Sequence, residues 1–179
     1  MINQRTRKCA IKGCVNRFTR RSMMHKVCSI ECAAVLAQSI RIEKEKKELA
    51  VRREQIKSRS THLRECQTAF NSYIRARDSS LPCISCQRHH AGQYHAGHYL
   101  AVGSHPELRF DELNVHKQCS VCNNHLSGNQ IEYRKNLILK MGVEVVEYLE
   151  GKHEAKKYSI SQIVELKTTY KLKIKELTR

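Results

Sequence analysis

The sequence predicts an α-rich α+β protein in which two zinc-bound modules are joined by a long charged helix and followed by a helical C-terminal extension. Three observations predict it. Eight of the nine cysteines form two quartets, Cys9, Cys14, Cys28, Cys32 and Cys83, Cys86, Cys119, Cys122. Residues 33–77, between the quartets, contain neither Gly nor Pro and are rich in good helix formers. Around the second quartet, Gly92, Gly97 and Gly103 punctuate short β-like pieces. The implied boundaries are a basic zinc module over 1–32, a connecting helix or helices over 33–78, a zinc-clamped core over 79–142 and a helical extension over 143–179.

The first module spaces its cysteines as Cys9-x4-Cys14 and Cys28-x3-Cys32, which fits a treble-clef-like site with Phe18 and Val27 as a minimal core. So short a unit has too little apolar surface to fold alone, and bound metal supplies the missing stability. His25 is a substitute ligand within the same stretch. In the connecting segment, RIEKEKKELAVRREQIKSR alternates charge sign with sparse apolar positions, the pattern of a solvated helix. The next block, LRECQTAFNSYIRARD, is more amphipathic, and Leu63, Phe70, Tyr73, Ile74 and Arg77 form a stripe able to pack on the following domain. Cys66 is left over, a helix-face residue without a metal role.

Leu81-Pro82 stops that helix. Strands are expected around His95–Val102 and Leu108–Phe110, and helix from Cys119 to Gly142. In the extension, Ile160, Ile163, Val164, Leu166, Tyr170 and Ile174 fit a helix, and Ser159 with Gln162 makes a capping box.

The formal net charge is +16, and it is unevenly spread. Residues 1–77 hold 19 Lys/Arg against 6 Asp/Glu, whereas residues 78–179 hold 14 against 11. The excess sits on the arm and helix and points to a polyanion, nucleic acid being the usual one. No apolar run is long enough to span a membrane, and no apolar stretch follows the basic Met1–Lys12. The expectation is a cytoplasmic protein whose cysteines bind metal rather than form disulfides. An RNA-binding reading lacks an aromatic-rich stacking platform.

The chemistry concentrates in the second quartet. Two CxxC pairs close a tetrahedral zinc site, yet 32 residues separate Cys86 from Cys119, more than a simple ribbon needs. Seven of the ten histidines lie between His89 and His125. His95, His98, Asn114, His116, Asn123 and His125 offer imidazole and amide groups for a second metal or for a general base in phosphodiester hydrolysis. His89, His90, His105 and His125 read individually as surface residues, with His90 and His125 in reach of phosphate.

Gly97-His98, then Asn114, then Cys119-x-x-Cys122-Asn123 resembles the HNH (ββα-metal) nuclease motif, in the zinc-clamped type of the phage endonuclease VII junction resolvases. Over both quartets and the linking helix, the chain is similar to the NinG (Rap) recombination endonuclease family of lambdoid phages. The residues that carry this similarity are FNSYIRARD, CISC, HAGHY, LRFDELNVHKQCSVCNNHLSGN and YRKNLI. The resemblance implies structure-specific cleavage of branched DNA such as D-loops and Holliday junctions, with catalytic Mg²⁺ or Mn²⁺ beside two structural Zn²⁺, in the bacterial host cytoplasm. It implies His98 as general base, Asn123 as metal ligand and Asn114 as the residue that holds the loop or orients His98. Phage or host recombination proteins are implied partners.

HNH nucleases usually place Asp before the base histidine, where this chain has Gly97. His95 ranks first as the substitute ligand, then Asp111, then His116, and a His95/Asn123 pair favours Mn²⁺. Arg88, Arg109 and Lys117 are positioned to line a DNA groove, and Arg17, Arg20 and Arg21 to contact phosphates from the basic arm. The alternative is a non-catalytic two-zinc DNA-binding adaptor. A homodimer suits symmetric junctions, although the apolar positions of the bridging helix hold no heptad.

Overall fold

The computed structural model describes residues 6–178, in two compact units divided between Lys57 and Ser58. In the first, β1 (Thr6–Lys8) pairs antiparallel with β2 (Arg17–Thr19), Arg7 lying opposite Phe18. Helix α1 (Ile30–Gln55) starts where Ser29 Oγ accepts from the Cys32 N–H at 3.3 Å. None of its 26 residues is buried. Its backbone ladder, about 39 Å long at 1.5 Å per residue, is supplemented by exposed pairs such as Arg41–Glu45 at 3.0 Å, each contributing a few tenths of a kcal/mol.

The expected connecting segment is two helices. α1 ends as the Ile56 N–H returns to the Arg52 carbonyl, and α2 (Arg59–Arg77) starts afresh at Ser58, whose hydroxyl accepts from the Thr61 N–H at 3.2 Å. Lys57-Ser58-Arg59-Ser60 has no apolar residue to continue a buried face, and the Ser58 hydroxyl competes for the backbone donors an unbroken helix would use.

In the second unit, α2 turns Cys66, Ala69, Phe70, Tyr73 and Ile74 inward against α5 (Ile160–Leu177). The capping box of α5 is formed as expected, with Ser159 Oγ accepting from the Gln162 N–H and Gln162 Oε1 from the Ser159 N–H. Ile163 and Tyr170, two turns apart, are buried, whereas Ile160 faces solvent. Cys66 is fully buried, and burial pushes its thiol up to about 11. Arg77 pairs with Asp78 and donates to the Glu112 and Val115 carbonyls, tying the end of α2 to the sheet.

That sheet is β3 (Tyr94–His98) antiparallel to β4 (Val115–Cys119), with His95 opposite Gln118 and Gly97 opposite His116. A π-helical turn (Val121–His125) follows, then α3 (Gln130–Met141) and α4 (Val143–Glu150), which meet at Gly142 with φ 92°. Ile84, Tyr99, Leu108, Tyr133, Leu137, Val146 and Leu149 form a second core beneath them.

The strand expectations need correction. The first strand stops at His98 instead of Val102, and Leu108–Phe110 lies in a 3₁₀ turn and the loop after it. Leu108 and Phe110 alternate like a strand because both reach a core, but Asp111 Oδ1 accepts from the Leu113 N–H and closes a turn there. The second strand is Val-His-Lys-Gln-Cys, whose five residues are all buried. The helix expected from Cys119 to Gly142 is formed in two pieces, the π-helical turn Val121–His125 and, after a break, α3 from Gln130 to Met141.

Candidate metal centres and active site

In the first unit, one ligand atom from each of Cys9, Cys14, Cys28 and Cys32 lies within 4.8 Å of the others. Cys14–Cys28, Cys28–Cys32 and Cys14–Cys32 sulfurs are 3.6, 3.7 and 3.9 Å apart. Four thiolates around one Zn²⁺ at ~2.3 Å put neighbouring sulfurs roughly 3.8 Å apart, so the quartet fits that ion. His25 is not a member. Its ring packs on Phe18 at 4.7 Å and its Nδ1 accepts from the Arg21 N–H.

The second quartet, Cys83, Cys86, Cys119 and Cys122, gathers within the same limit. β4 delivers Cys119 at its last residue, and the π turn brings Cys122 back beside it. The Cys119 N–H points at Cys83 Sγ at 3.3 Å, and the Cys122 N–H at Cys119 Sγ at 3.5 Å. Burial pushes the Cys83 thiol up, but N–H donors around it outweigh that and leave it lowered, favouring the thiolate a metal needs. His90 is not the plain surface residue expected, since its Nε2 lies 3.2 Å from Cys86 Sγ.

Beside this quartet, β3 carries His98. Its Nε2 is 3.0 Å from the Arg109 carbonyl. A carbonyl only accepts, so Nε2 carries the proton and Nδ1 is the bare, basic nitrogen. Nδ1 has no hydrogen-bond partner among the described residues. Burial holds the imidazole below its ordinary value, the Arg109 carbonyl opposing and the Arg109 charge reinforcing the shift. His98 is thus poised neutral near pH 7, as a proton acceptor requires.

Asn114, fully buried, closes the loop between the strands. Its Oδ1 accepts from the Leu100 N–H at 2.8 Å and its Nδ2 donates to the Leu100 and Leu108 carbonyls. It makes no bond to His98. It acts through the loop, holding Leu108 next to the Arg109 carbonyl that orients the imidazole.

Gly97 has no room for a side chain. A Cβ there would stand 2.1 Å from Gln118 Oε1 and 3.0 Å from Asn123 Oδ1. Asn123 therefore sits next to the residue that precedes His98, and its Nδ2 is turned away to Asn124. His95 shares the strand face of Gly97 and Gln118, and its Nε2 accepts from Asn124 Nδ2 at 3.5 Å. Asp111 is not brought here, its two oxygens being engaged by the Leu113 N–H and the Tyr148 hydroxyl. Nor is His116 free to bind metal, because it is buried and its Nδ1 donates to the Tyr133 hydroxyl, which itself donates to the Gly97 carbonyl. Gln118 and Tyr133 were not singled out from sequence. The only sequence signal for Gln118 is its place beside Cys119, and it has meaning only once the strand register is known.

The sequence model of one family, described as Bacteriophage Lambda NinG protein, matches residues 1–179. The chain belongs to the NinG family. Protein ninG of Escherichia phage lambda is 42% identical over 195 aligned residues, covering 99% of this chain and 96% of that protein. Protein ninG of Salmonella phage P22 is 35% identical with the same coverage. Protein ninG of Escherichia phage 933W is 42% identical over 132 residues, and the match spans 74% of this chain but 66% of that relative's length. No solved structure matches the chain significantly.

The cations expected to hold DNA in this NinG-family chain are of two kinds. Arg88 is exposed beside the second quartet, and Arg17 and Arg21 are exposed on the first unit. Arg20 is half-buried and donates to the Met23 carbonyl. Arg109 is half-buried, with one NH donating to Gln67 Oε1 at 3.4 Å. Lys117 is a correction. It is buried, its ammonium donates to the Ser79 carbonyl at 2.8 Å and lies over the Tyr94 ring, so it belongs to the packing of β4 and not to a DNA groove. Among the described residues, no helix is long and apolar enough to cross a membrane.

Proposed function

We propose that this chain is a metal-dependent, structure-specific DNA endonuclease that hydrolyses phosphodiesters in branched recombination intermediates such as D-loops and Holliday junctions, in the cytoplasm of the phage's bacterial host. The observation that carries the reading is the Arg109 carbonyl on His98 Nε2, which leaves a neutral Nδ1 with no hydrogen-bond partner among the described residues. In hydrolysis, a water oxygen attacks phosphorus while its proton passes to His98 Nδ1, and a P–O ester bond breaks. Bound Mg²⁺ or Mn²⁺ would neutralise charge on the leaving oxygen. Asn123 is the residue to hold it, with His95 as a neighbouring donor. Asn114 positions His98 through the loop. The two zinc quartets hold the scaffold, and exposed arginines such as Arg17, Arg21 and Arg88 grip phosphates without reading sequence. Phage or host recombination proteins and a second copy of the chain are partners this activity could engage.

Gly97, in place of the carboxylate usual before the base histidine, is what favours the second reading, a two-zinc DNA-binding adaptor without catalysis. A nicking assay on synthetic branched DNA with Mg²⁺ or Mn²⁺ separates the two. The nuclease reading expects His98→Ala to abolish cutting while salt-sensitive binding survives. Cutting by neither ion in the wild-type chain, with tight binding, selects the adaptor.

A further inference from the structure

Gln118 is fully buried in the middle of the second unit, and its amide orientation is settled by its surroundings. Its amide oxygen and nitrogen are not interchangeable, because Nε2 donates to the Gly128 carbonyl, which can only accept, and to Ser85 Oγ at 2.7 Å. Oε1 therefore faces the other way, toward Gly97, and it has no hydrogen-bond partner. A buried carbonyl-type oxygen without a partner loses its hydration with nothing to replace it, so a fold that retains one invites a reason.

The Asn123 side chain supplies it. Its Nδ2 is committed to Asn124 Oδ1 at 2.7 Å, which turns Asn123 Oδ1 toward the same glycine. Two amide oxygens thus converge on the Gly97 Cα, with no donor between them among the described residues. Mutually repelling oxygens are stabilised by a cation, and hard divalent cations take amide oxygens as ligands. The space an aspartate side chain would fill at position 97 is the space that Gln118 Oε1 occupies.

We propose that Gln118 Oε1, together with Asn123 Oδ1, ligates the divalent cation, and that Gly97 lacks a side chain so that Gln118 can reach it. This rests on the endonuclease reading and names a ligand that reading leaves open. The test is titration of Mn²⁺ into the zinc-loaded full chain, followed by electron paramagnetic resonance, with zinc content and melting temperature as controls on folding. Asn123→Ala and Gln118→Met should each weaken Mn²⁺ binding about tenfold or more, and Gln118→Glu, which keeps an oxygen, should bind at least as tightly as wild type. Gly97→Ala, whose methyl must displace Oε1, should weaken binding as Gln118→Met does, and it serves if the latter does not fold. Wild-type affinity in Gln118→Met or Gly97→Ala, with binding lost in Asn123→Ala, overturns the role of Gln118 and leaves the nuclease reading standing. No Mn²⁺ binding by the wild-type chain up to millimolar concentration overturns both.

Discussion

Tyr133→Phe removes one oxygen from the interior of the second unit. That oxygen links α3, β3 and β4, donating to the Gly97 carbonyl at 3.0 Å and accepting from His116 Nδ1 at 3.2 Å. Tyr133 is fully buried and His116 and Gly97 are buried with it, so water cannot replace the lost contacts. The phenylalanine ring keeps the packing on Tyr99, so the loss is of hydrogen bonds and not of apolar area. Each orphaned buried group costs about 1–3 kcal/mol, which for two groups gives a destabilisation of about 2–6 kcal/mol. A domain of this size then melts on the order of 10 °C lower. Urea unfolding of the zinc-loaded chain at neutral pH measures the loss, with zinc content checked in both proteins. A cost below about 0.5 kcal/mol, at unchanged zinc content, would refute the claim that this hydroxyl joins the helix to the strand bearing His98.

His116 itself predicts a pH dependence. Burial first, then the Lys140 and Arg77 charges, lower its imidazole to about 3, against the attraction of Asp78. The unfolded chain takes up this proton near pH 6.5 and the folded chain does not, so stability is full above pH 6.5 and falls below it, by on the order of 2 kcal/mol at pH 5. Unfolding free energies measured from pH 7 to 5 should show this slope, and His116→Gln should flatten it; an unchanged slope in the variant rejects the assignment. Stripping zinc with a chelator should unravel the β1–β2 hairpin and the start of α1, because among the described residues of that unit only Val27 and Cys9 are hydrophobic residues buried from solvent. Metal analysis of the intact chain should give two zinc per chain, and a dispersed amide spectrum for residues 6–32 after chelation would contradict the metal's structural role.

Much of the candidate site was legible in the residues themselves. Cysteine spacing is a local property, and both quartets close in space as their spacing implies, because four thiolates have few ways to surround one ion. Capping is equally local, and the Ser159–Gln162 box forms where it was read. The inward stripe of α2 was legible because Phe70, Tyr73 and Ile74 recur at helical spacing. The break at Ser58 was not, since a serine inside a charged run is compatible with a continued helix as well as with a cap.

What escaped the sequence is the polar interior around β4. Periodicity detects apolar faces, and Val-His-Lys-Gln-Cys presents almost none, yet all five residues are buried because hydrogen bonds engage each polar side chain, Gln118 through its Nε2 only. That register put Lys117 inside instead of on DNA, and it placed Gln118 against Gly97. The NinG-family sequence by itself determined the two cysteine quartets and the separation of charge from histidines, and it singled out His98 and Asn123 as candidates. Only the tertiary structure decided which nitrogen of His98 is bare, that Asp111 and His116 are otherwise engaged, and which oxygen faces the glycine. Those are properties of donors and acceptors brought together from distant segments, and no local pattern encodes their pairing.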